Sequence, residues 1–435
     1  MKIKLIYPRI HPTKRLRWKG LVPPLNLCYL AALTPKDISV KIVDTDIEPL
    51  NFDEPVALVG ITATTATVTH AYAIADEFRR RGRKVVIGGI HASVLPNEAL
   101  RHADAVVVGE AEPVWNTVLE DAANGRLKGI YKAKELPDSS AIPFPRRDML
   151  KPKGYIFNNT METSRGCPMS CHFCTVPLIY GKRYRVRPIP SVVEEIKKMG
   201  ARRIFFVDDN IAGVPARAKE LFKALIPLKV KWVGQATIRI ANDEELLRLA
   251  SKSGCMVLFI GLESVDPGNM KSANKSWANP ENYLRCIKII QKYSIGIEGA
   301  FIFGLDEDTP SVFSETVNFA EKAKLETARF SILKPFPGTE LRERLLKEGR
   351  ILTSNWRNYD NQGVVFQPKR ISPEELSANR EWAYDRFYRL ASIFRRIGLW
   401  RKNITLLWIA NLANKQFRST RTSRKAHLIS KNMVN

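Results

Sequence analysis

Three cysteines, Cys167, Cys171 and Cys174, fall within eight residues in the stretch Thr163-Ser-Arg-Gly-Cys-Pro-Met-Ser-Cys-His-Phe-Cys174, and no other feature restricts the chain so strongly. A cubane iron–sulfur cluster or a tetrahedral zinc ion ordinarily takes four protein ligands. Here one compact loop offers three thiolates, and the next cysteine, Cys255, lies some eighty residues further on. Such a loop can hold three irons of a [4Fe-4S] cluster and leave the fourth open to a small chelating ligand. Two other readings compete with it. A Cys₃His zinc site would recruit His172, which sits between two of the cysteines and would have to fold back sharply to reach the same ion. Buried thiols without metal are the other, although core cysteines do not ordinarily gather in a loop containing Gly, Pro and Ser.

The spacing CxxxCxΦC, with Phe173 as the aromatic residue, resembles the signature of the radical S-adenosylmethionine (SAM) enzymes. The resemblance implies that the open iron chelates SAM and that an electron from the cluster cleaves it to a 5′-deoxyadenosyl radical. It also implies a flanking barrel, for which the rest of the chain can be searched.

A length of 435 residues exceeds one ordinary core and suggests two or three domains. Six cysteines, half of them in one motif, do not form a secreted disulfide framework and point to a reducing compartment. The apolar run at Met1 to Tyr7 is too short for a signal peptide, and no apolar stretch reaches membrane-spanning length, so a cytoplasmic protein is expected. Net charge is +25, and twelve of the positive charges lie between Arg386 and Asn435, where there is no Asp or Glu. The chain thus has a basic tail rather than a basic surface throughout.

Residues 1–135 alternate short apolar runs with helical segments. Strands are expected at Ile3 to Tyr7, Val40 to Val43, Val56 to Ile61, Val85 to Ile87 and Ala105 to Val108, with helices around Leu25 to Leu33, Thr69 to Arg81 and Pro113 to Asn124. This is the pattern of a doubly wound, Rossmann-like α/β domain, whose ligand crevice lies at the carboxyl ends of its strands. There the loops starting at Gly60, Gly88 and Gly109 would gather, their glycines either admitting a bulky ligand or serving as plain turns. The segments Pro23 to Tyr29, Gly88-Gly-Ile-His-Ala-Ser-Val-Leu-Pro96 and Ala105 to Glu112 resemble the cobalamin-binding domain that precedes the barrel in one large radical SAM class. That resemblance covers roughly residues 1–370 and nominates Thr62, Gly88, Gly89, His91, Gly109 and Glu110 at a cobalamin crevice. A DxHxxG motif, which supplies a histidine to cobalt in better-known cobalamin domains, is absent, and after the first strand the chain reads Tyr7-Pro-Arg-Ile-His11-Pro.

Residues 136–157 have linker composition, and residues 158–340 repeat strand and helix about six times, matching the partial (β/α)₆ barrel that the resemblance requires. Expected helices are Ser191 to Lys198 with Ser191 and Glu194 as a capping box, Pro215 to Leu225, Asp243 to Ser253 capped by Asn242, Asn279 to Tyr293 and Pro310 to Ala323. Loops at the carboxyl ends of barrel strands build the site. By position, the resemblance assigns SAM contacts to Phe173, to Asp208, Asp209 and Asn210, to Arg239, to Glu263 and Ser264, and to Gly304.

Residues 341–435 form an extension in which Val364 to Pro368 is expected as an added strand and Ser372-Pro-Glu-Glu opens a helix running past Phe387. The basic, aromatic tail could pack on the barrel or lie on an anionic membrane surface, which makes a peripheral association and a lipid or other small-molecule substrate the first expectation. Nucleic acid ranks below both, for lack of a recognisable fold. The class implies a cobalamin-dependent C-methyltransferase served by an external electron donor such as a flavodoxin or ferredoxin. A radical SAM cyclase or rearrangement enzyme, and a non-catalytic Fe–S electron-transfer protein, are the alternatives.

Overall fold

Strands β1 (Lys2–Tyr7), β2 (Ser39–Asp44), β3 (Leu58–Thr62), β4 (Lys84–Gly88), β5 (Ala105–Val108) and β6 (Ile130–Lys132) form one all-parallel sheet in the order β2-β1-β3-β4-β5-β6. Successive residues along these strands serve opposite cores. Ile6, Val59, Ile61, Val85, Ile87 and Val106 pack with the helix Val68–Arg80 on one face. Ile3, Leu5, Leu58, Val86, Ala105 and Val107 pack on the other with Leu27, Cys28, Trp115 and Val118, from the helices Leu25–Leu33 and Trp115–Ala123. Burial on both faces explains why the strands read as continuous apolar runs rather than alternating ones. Strand order reverses beside β1, so the β1 and β3 ends flank the switch point where a doubly wound sheet opens a crevice. This computed structural model describes residues 1–10, 22–151, 154–360, 363–398 and 407–415, and His11 therefore lies outside the described residues.

The chain divides into two compact units, Met1–Gln235 with Lys334–Phe366, and Ala236–Leu333 with Gln367 onward. Besides the first sheet, the first unit holds β7 (Thr160–Met161), the antiparallel pair β8 (Ser164–Arg165) and β9 (Arg185–Val186), β10 (Arg203–Phe206) and, as far as Gln235, β11 (Lys231–Ala236). β10 runs parallel to both β7 and β11. In the second unit β12 (Cys255–Glu263), β13 (Gly296–Phe303) and β14 (Thr327–Ile332) pair in parallel. Helices Glu244–Lys252, Tyr283–Lys292 and Val312–Lys322 alternate with them as the periodicity predicts.

Several local expectations are corrected. The helix Ile189–Met199 starts after Pro188 with no side-chain cap, so Ser191 and Glu194 make no capping box. Asp243, not Asn242, caps the helix Glu244–Lys252, accepting from the Leu246 N–H at 2.9 Å. Val364 to Pro368 supplies one antiparallel bridge, Ile351 to Phe366, instead of a strand. Ser372 and Glu375 do form a capping box, but their helix, Pro373–Phe387, stops at Phe387, and a separate helix, Leu390–Ile397, follows. Arg396, one of the twelve tail charges, is fully buried, donating to the carbonyls of Leu325, Glu326 and Phe387. Arg401, Lys402, Arg418, Arg421, Arg424, Lys425 and Lys431 lie outside the described residues. No helix among the described residues is long and apolar enough to cross a membrane.

Asp44, at the end of β2, illustrates a cost of burial. Its carboxylate accepts from the Asp46 N–H at 2.9 Å and from the Tyr155 hydroxyl at 3.1 Å, yet desolvation pushes its pKa up to about 6 from the ordinary 3.8. A raised folded-state value means that ionisation costs the folded chain more than the unfolded one. The associated stability is therefore present below about pH 4 and lost as pH rises through about 6. Asp44→Asn keeps the shape and removes the ionisation. Urea melts should show it gaining about 1–3 kcal/mol on the wild type between about pH 4 and about pH 7.5, and parallel pH profiles would refute this account.

Candidate functional site

The thiol loop leaves β8 through Gly166, at φ +85°, where an added Cβ would stand 2.7 Å from the Arg183 carbonyl oxygen. Only glycine fits such a turn. Cys167, Cys171 and Cys174 follow, half-buried and outside any disulfide, with a tight turn closed by the Cys174 N–H on the Cys171 carbonyl at 3.0 Å. His172 is engaged elsewhere. Its Nε2 lies 3.2 Å from a Glu340 carboxylate oxygen and its carbonyl accepts from the Leu341 N–H at 3.1 Å. Among the described residues no group of three His, Cys, Asp or Glu side chains is already arranged around a metal, so what the loop supplies is a donor set. That set suits iron. Burial, and then the neighbouring Cys171 and Cys167 thiols, push Cys174 up to about 12. A bound cation reverses that penalty and deprotonates its thiol ligands.

Asp208, Asp209 and Asn210 emerge beyond β10 and take three different roles. Asp208 is fully buried and accepts from the Thr163 N–H at 3.1 Å, the Thr163 hydroxyl at 2.7 Å and the Ser164 hydroxyl. It anchors the chain entering the thiol loop, and burial holds its acid above the usual carboxylate range. Asp209 is only partly buried. Desolvation and the Asp208 charge push it up to about 6, while a hydrogen bond with the Gly166 backbone works against the shift. Asn210 is buried, and its Oδ1 has no hydrogen-bond partner among the described residues. An orphaned amide oxygen is the acceptor that a donor such as the SAM ammonium would satisfy. Phe173 is half-buried.

Arg239, Glu263, Ser264 and Gly304 belong to the second unit. Arg239 is exposed in the 3₁₀ turn Ile238–Asn242. Glu263 ends β12 at φ +59°, after a register shift, and pairs with Lys275 at 2.7 Å. The buried Ser264 hydroxyl accepts from Asn269 at 3.2 Å, and the buried Gly304 N–H donates to Asp308 at 2.7 Å.

At the strand ends of the first sheet, Gly89 takes φ +94° and ψ −178°, a region open only to glycine. It is followed at once by a short helix, Ile90–Val94, where the sequence suggested a loop. Ser93 stitches two strand ends together, donating to the Gly89 carbonyl at 2.8 Å and accepting from the Gly109 N–H at 2.8 Å. Thr62 accepts from Asn26 at 2.9 Å. A Cβ on Gly109 would meet no atom within 4 Å, so backbone here faces open space, as a bulky planar ligand requires. Two nominated residues are engaged elsewhere. His91 is fully buried, its Nδ1 3.2 Å from Thr65 and its Nε2 3.1 Å from Glu98. Glu110 is locked by Arg165 and Arg185. Sequence reasoning missed both arginines and Lys275. The TSRGC run places Arg165 beside the thiols, but nothing local reveals a partner 55 residues away.

A doubly wound domain with a glycine-lined crevice, preceding a trithiol loop and alternating barrel strands and helices, defines the class in which a B12-type domain is joined to radical SAM chemistry. Family comparison agrees, the B12 binding domain matching residues 16–118 and the radical SAM superfamily matching residues 161–320. The chain is 31% identical to the bacteriochlorophyllide d C-12(1)-methyltransferase of Chlorobaculum tepidum, over 95% of this chain and 92% of that protein. It is 33% identical to the bacteriochlorophyllide d C-8(2)-methyltransferase of the same organism, over 80% and 82%. The fold is also that of the radical SAM methyltransferase TsrM from Kitasatospora setae, solved with cobalamin and a [4Fe-4S] cluster bound (TM-score 0.64, 18% identity, 87% and 84% covered). The chain belongs to the radical SAM superfamily, in the branch with an N-terminal B12-binding domain. It is a radical SAM enzyme whose cofactors are a [4Fe-4S] cluster, SAM and cobalamin.

Proposed function

We propose that the enzyme transfers a methyl group to an unactivated carbon of an apolar small molecule. The observation that carries this is the presence, within one compact unit, of a glycine-lined crevice and a three-thiol loop, two cofactor-scale sites of different chemistry. When bound, the cluster supplies the electron that opens SAM, and cobalamin carries the methyl group. Cys167, Cys171 and Cys174 would hold the cluster. Asp209, charged above about pH 6, and the Asn210 Oδ1, unpartnered among the described residues, would orient the SAM ammonium. Within the second unit, Arg239, Glu263, Ser264 and Gly304 are that unit's own candidates for SAM contacts, and within the first Thr62, Gly88, Gly89 and Gly109 would line the cobalamin crevice. Residues 1–135 and 158–340 are then the two cofactor domains, with 136–157 as linker and 341–435 as extension.

Similarity to two enzymes named for bacteriochlorophyllide d favours an apolar substrate. Exposed apolar side chains in the C-terminal segment support delivery from a membrane. Trp382, Leu390, Phe394, Ile409 and Leu412 are 43–58% exposed, in a stretch of sequence that also carries Arg386, Arg389 and Arg395. Such a mixture suits an anionic bilayer surface. An external electron donor of the flavodoxin or ferredoxin kind would reduce the cluster.

The test is anaerobic purification with cobalamin supplied, followed by absorption spectroscopy and incubation with methyl-labelled SAM and extracted apolar metabolites. Retained cobalamin, SAM-dependent spectral change and label in an apolar product are expected. SAM cleavage without label transfer would favour a cyclase or rearrangement instead, and a spectrum indifferent to SAM would indicate electron transfer alone. Salt-sensitive sedimentation with anionic liposomes checks the membrane reading, which fails if the protein stays in the supernatant.

A further inference from the structure

A buried ion cluster joins the loop after β5 to the strand that opens the thiol loop, and none of the roles above uses it. Glu110 directly follows Gly109 and has 3% of its side chain exposed, held between Arg165 and Arg185. Arg165 has 5% exposed. Its Nη1 goes to Glu110, its Nη2 to Glu112 at 2.6 Å and its Nε to Glu162 at 2.9 Å. Each arm of the guanidinium fork thus takes a different carboxylate, a geometry no ammonium can copy. The rings of Tyr29 and Tyr180 lie 5.7 and 6.0 Å from the guanidinium carbon. Arg185 is tied in turn to the Pro137 carbonyl at 2.7 Å.

The two ends of this cluster abut the two proposed cofactor sites. On one side, Gly109 is bonded through Ser93 to Gly89, so Glu110 is one residue from the crevice wall. On the other, Arg165 is two residues from Cys167, separated by Gly166, which is itself packed against the Arg183 carbonyl. Replacing a buried ion cluster with apolar groups often costs no stability, whereas losing one partner strands the rest, so its value lies in fixed geometry.

We infer that Arg165 is a positioning residue coupling the cobalamin crevice to the thiol loop, so that filling either site favours filling the other. This rests on the cofactor assignments proposed above. A ligand that shifts Gly109 shifts Glu110, Arg165 must follow, and the segment entering Cys167 moves with it. Coupling of this kind is reciprocal, and is typically about 5- to 150-fold in affinity.

The test is anaerobic titration of the full-length protein with hydroxocobalamin, followed by absorption, with the cluster reconstituted and without it. The wild type is expected to bind about fivefold or more tightly once reconstituted. Arg165→Lys keeps the charge but loses the planar fork that holds the three carboxylates in fixed directions, and should bring the ratio close to one. Glu110→Gln, a neutral isostere, should do the same and serves if the lysine variant does not fold. Equal affinities in the two wild-type states, or an unchanged ratio in a folded variant, overturn the coupling while leaving the cofactor assignment standing. Absence of hydroxocobalamin binding in both states overturns the assignment and the coupling together.

Discussion

Replacing Cys171 with alanine should lower SAM cleavage by more than about a hundredfold and reduce bound iron in parallel. The loop has three thiols to offer, and loss of a direct ligand should exceed the 10- to 100-fold penalty typical of outer-shell partners. Cys255→Ala is the control. That thiol is buried at the start of β12, belongs to the other compact unit, and its removal should leave the iron content unchanged. Iron determination, absorption and product analysis for 5′-deoxyadenosine check both variants. Full turnover in Cys171→Ala would move the cluster to other residues.

Gly89→Ala should have the largest effect in the first sheet. An alanine Cβ would lie 2.6 Å from the Ala63 oxygen and 2.7 Å from its nitrogen, both backbone atoms that cannot swing aside. With the glycine-only dihedrals added, a loss of roughly 3 kcal/mol or more is expected, visible as a lower melting temperature and loss of retained cobalamin. Gly109→Ala separates folding from binding. It meets no neighbour within 4 Å, so its cost is the backbone strain of φ +80°, about 1–2 kcal/mol, while its methyl intrudes on the crevice. The protein should fold and bind cobalamin more weakly. Unaltered cobalamin affinity in Gly109→Ala would show that the ligand lies elsewhere.

Strands and helices were legible where burial was regular. β1 to β5 stood out because both of their faces are buried, and the helices Leu25–Leu33 and Pro215–Leu225 were bounded correctly from periodicity and flanking prolines. The short β6 carries little pattern and was missed. Caps misled because Ser, Asn and Asp next to a helix look alike in sequence, whereas only one of them reaches the free N–H, as Asp243 does. In the candidate site, chemistry was easier to read than geometry. Carboxylates at a strand end could be seen, but not that Asp208 turns inward to hold Thr163 while Asp209 stays partly exposed. Charge runs likewise do not disclose burial, and Arg396 reads as one more charge of the basic tail because two of its three carbonyl partners, Leu325 and Glu326, lie some 70 residues upstream.

The return of residues Lys334–Phe366 to the first unit bears on how the chain is made. Trp356 donates to Glu98 at 2.9 Å across 258 residues of sequence, and its ring packs against His91. During synthesis, at roughly 5–20 residues per second, Glu98 leaves the ribosome about 13–52 s before its partner. Throughout that interval the nascent B12-type domain carries an unfinished edge, with a carboxylate, an imidazole and the apolar surface around Tyr72 still uncovered. Heterologous yield should therefore respond to translation speed and chaperone supply as well as to iron and cobalamin.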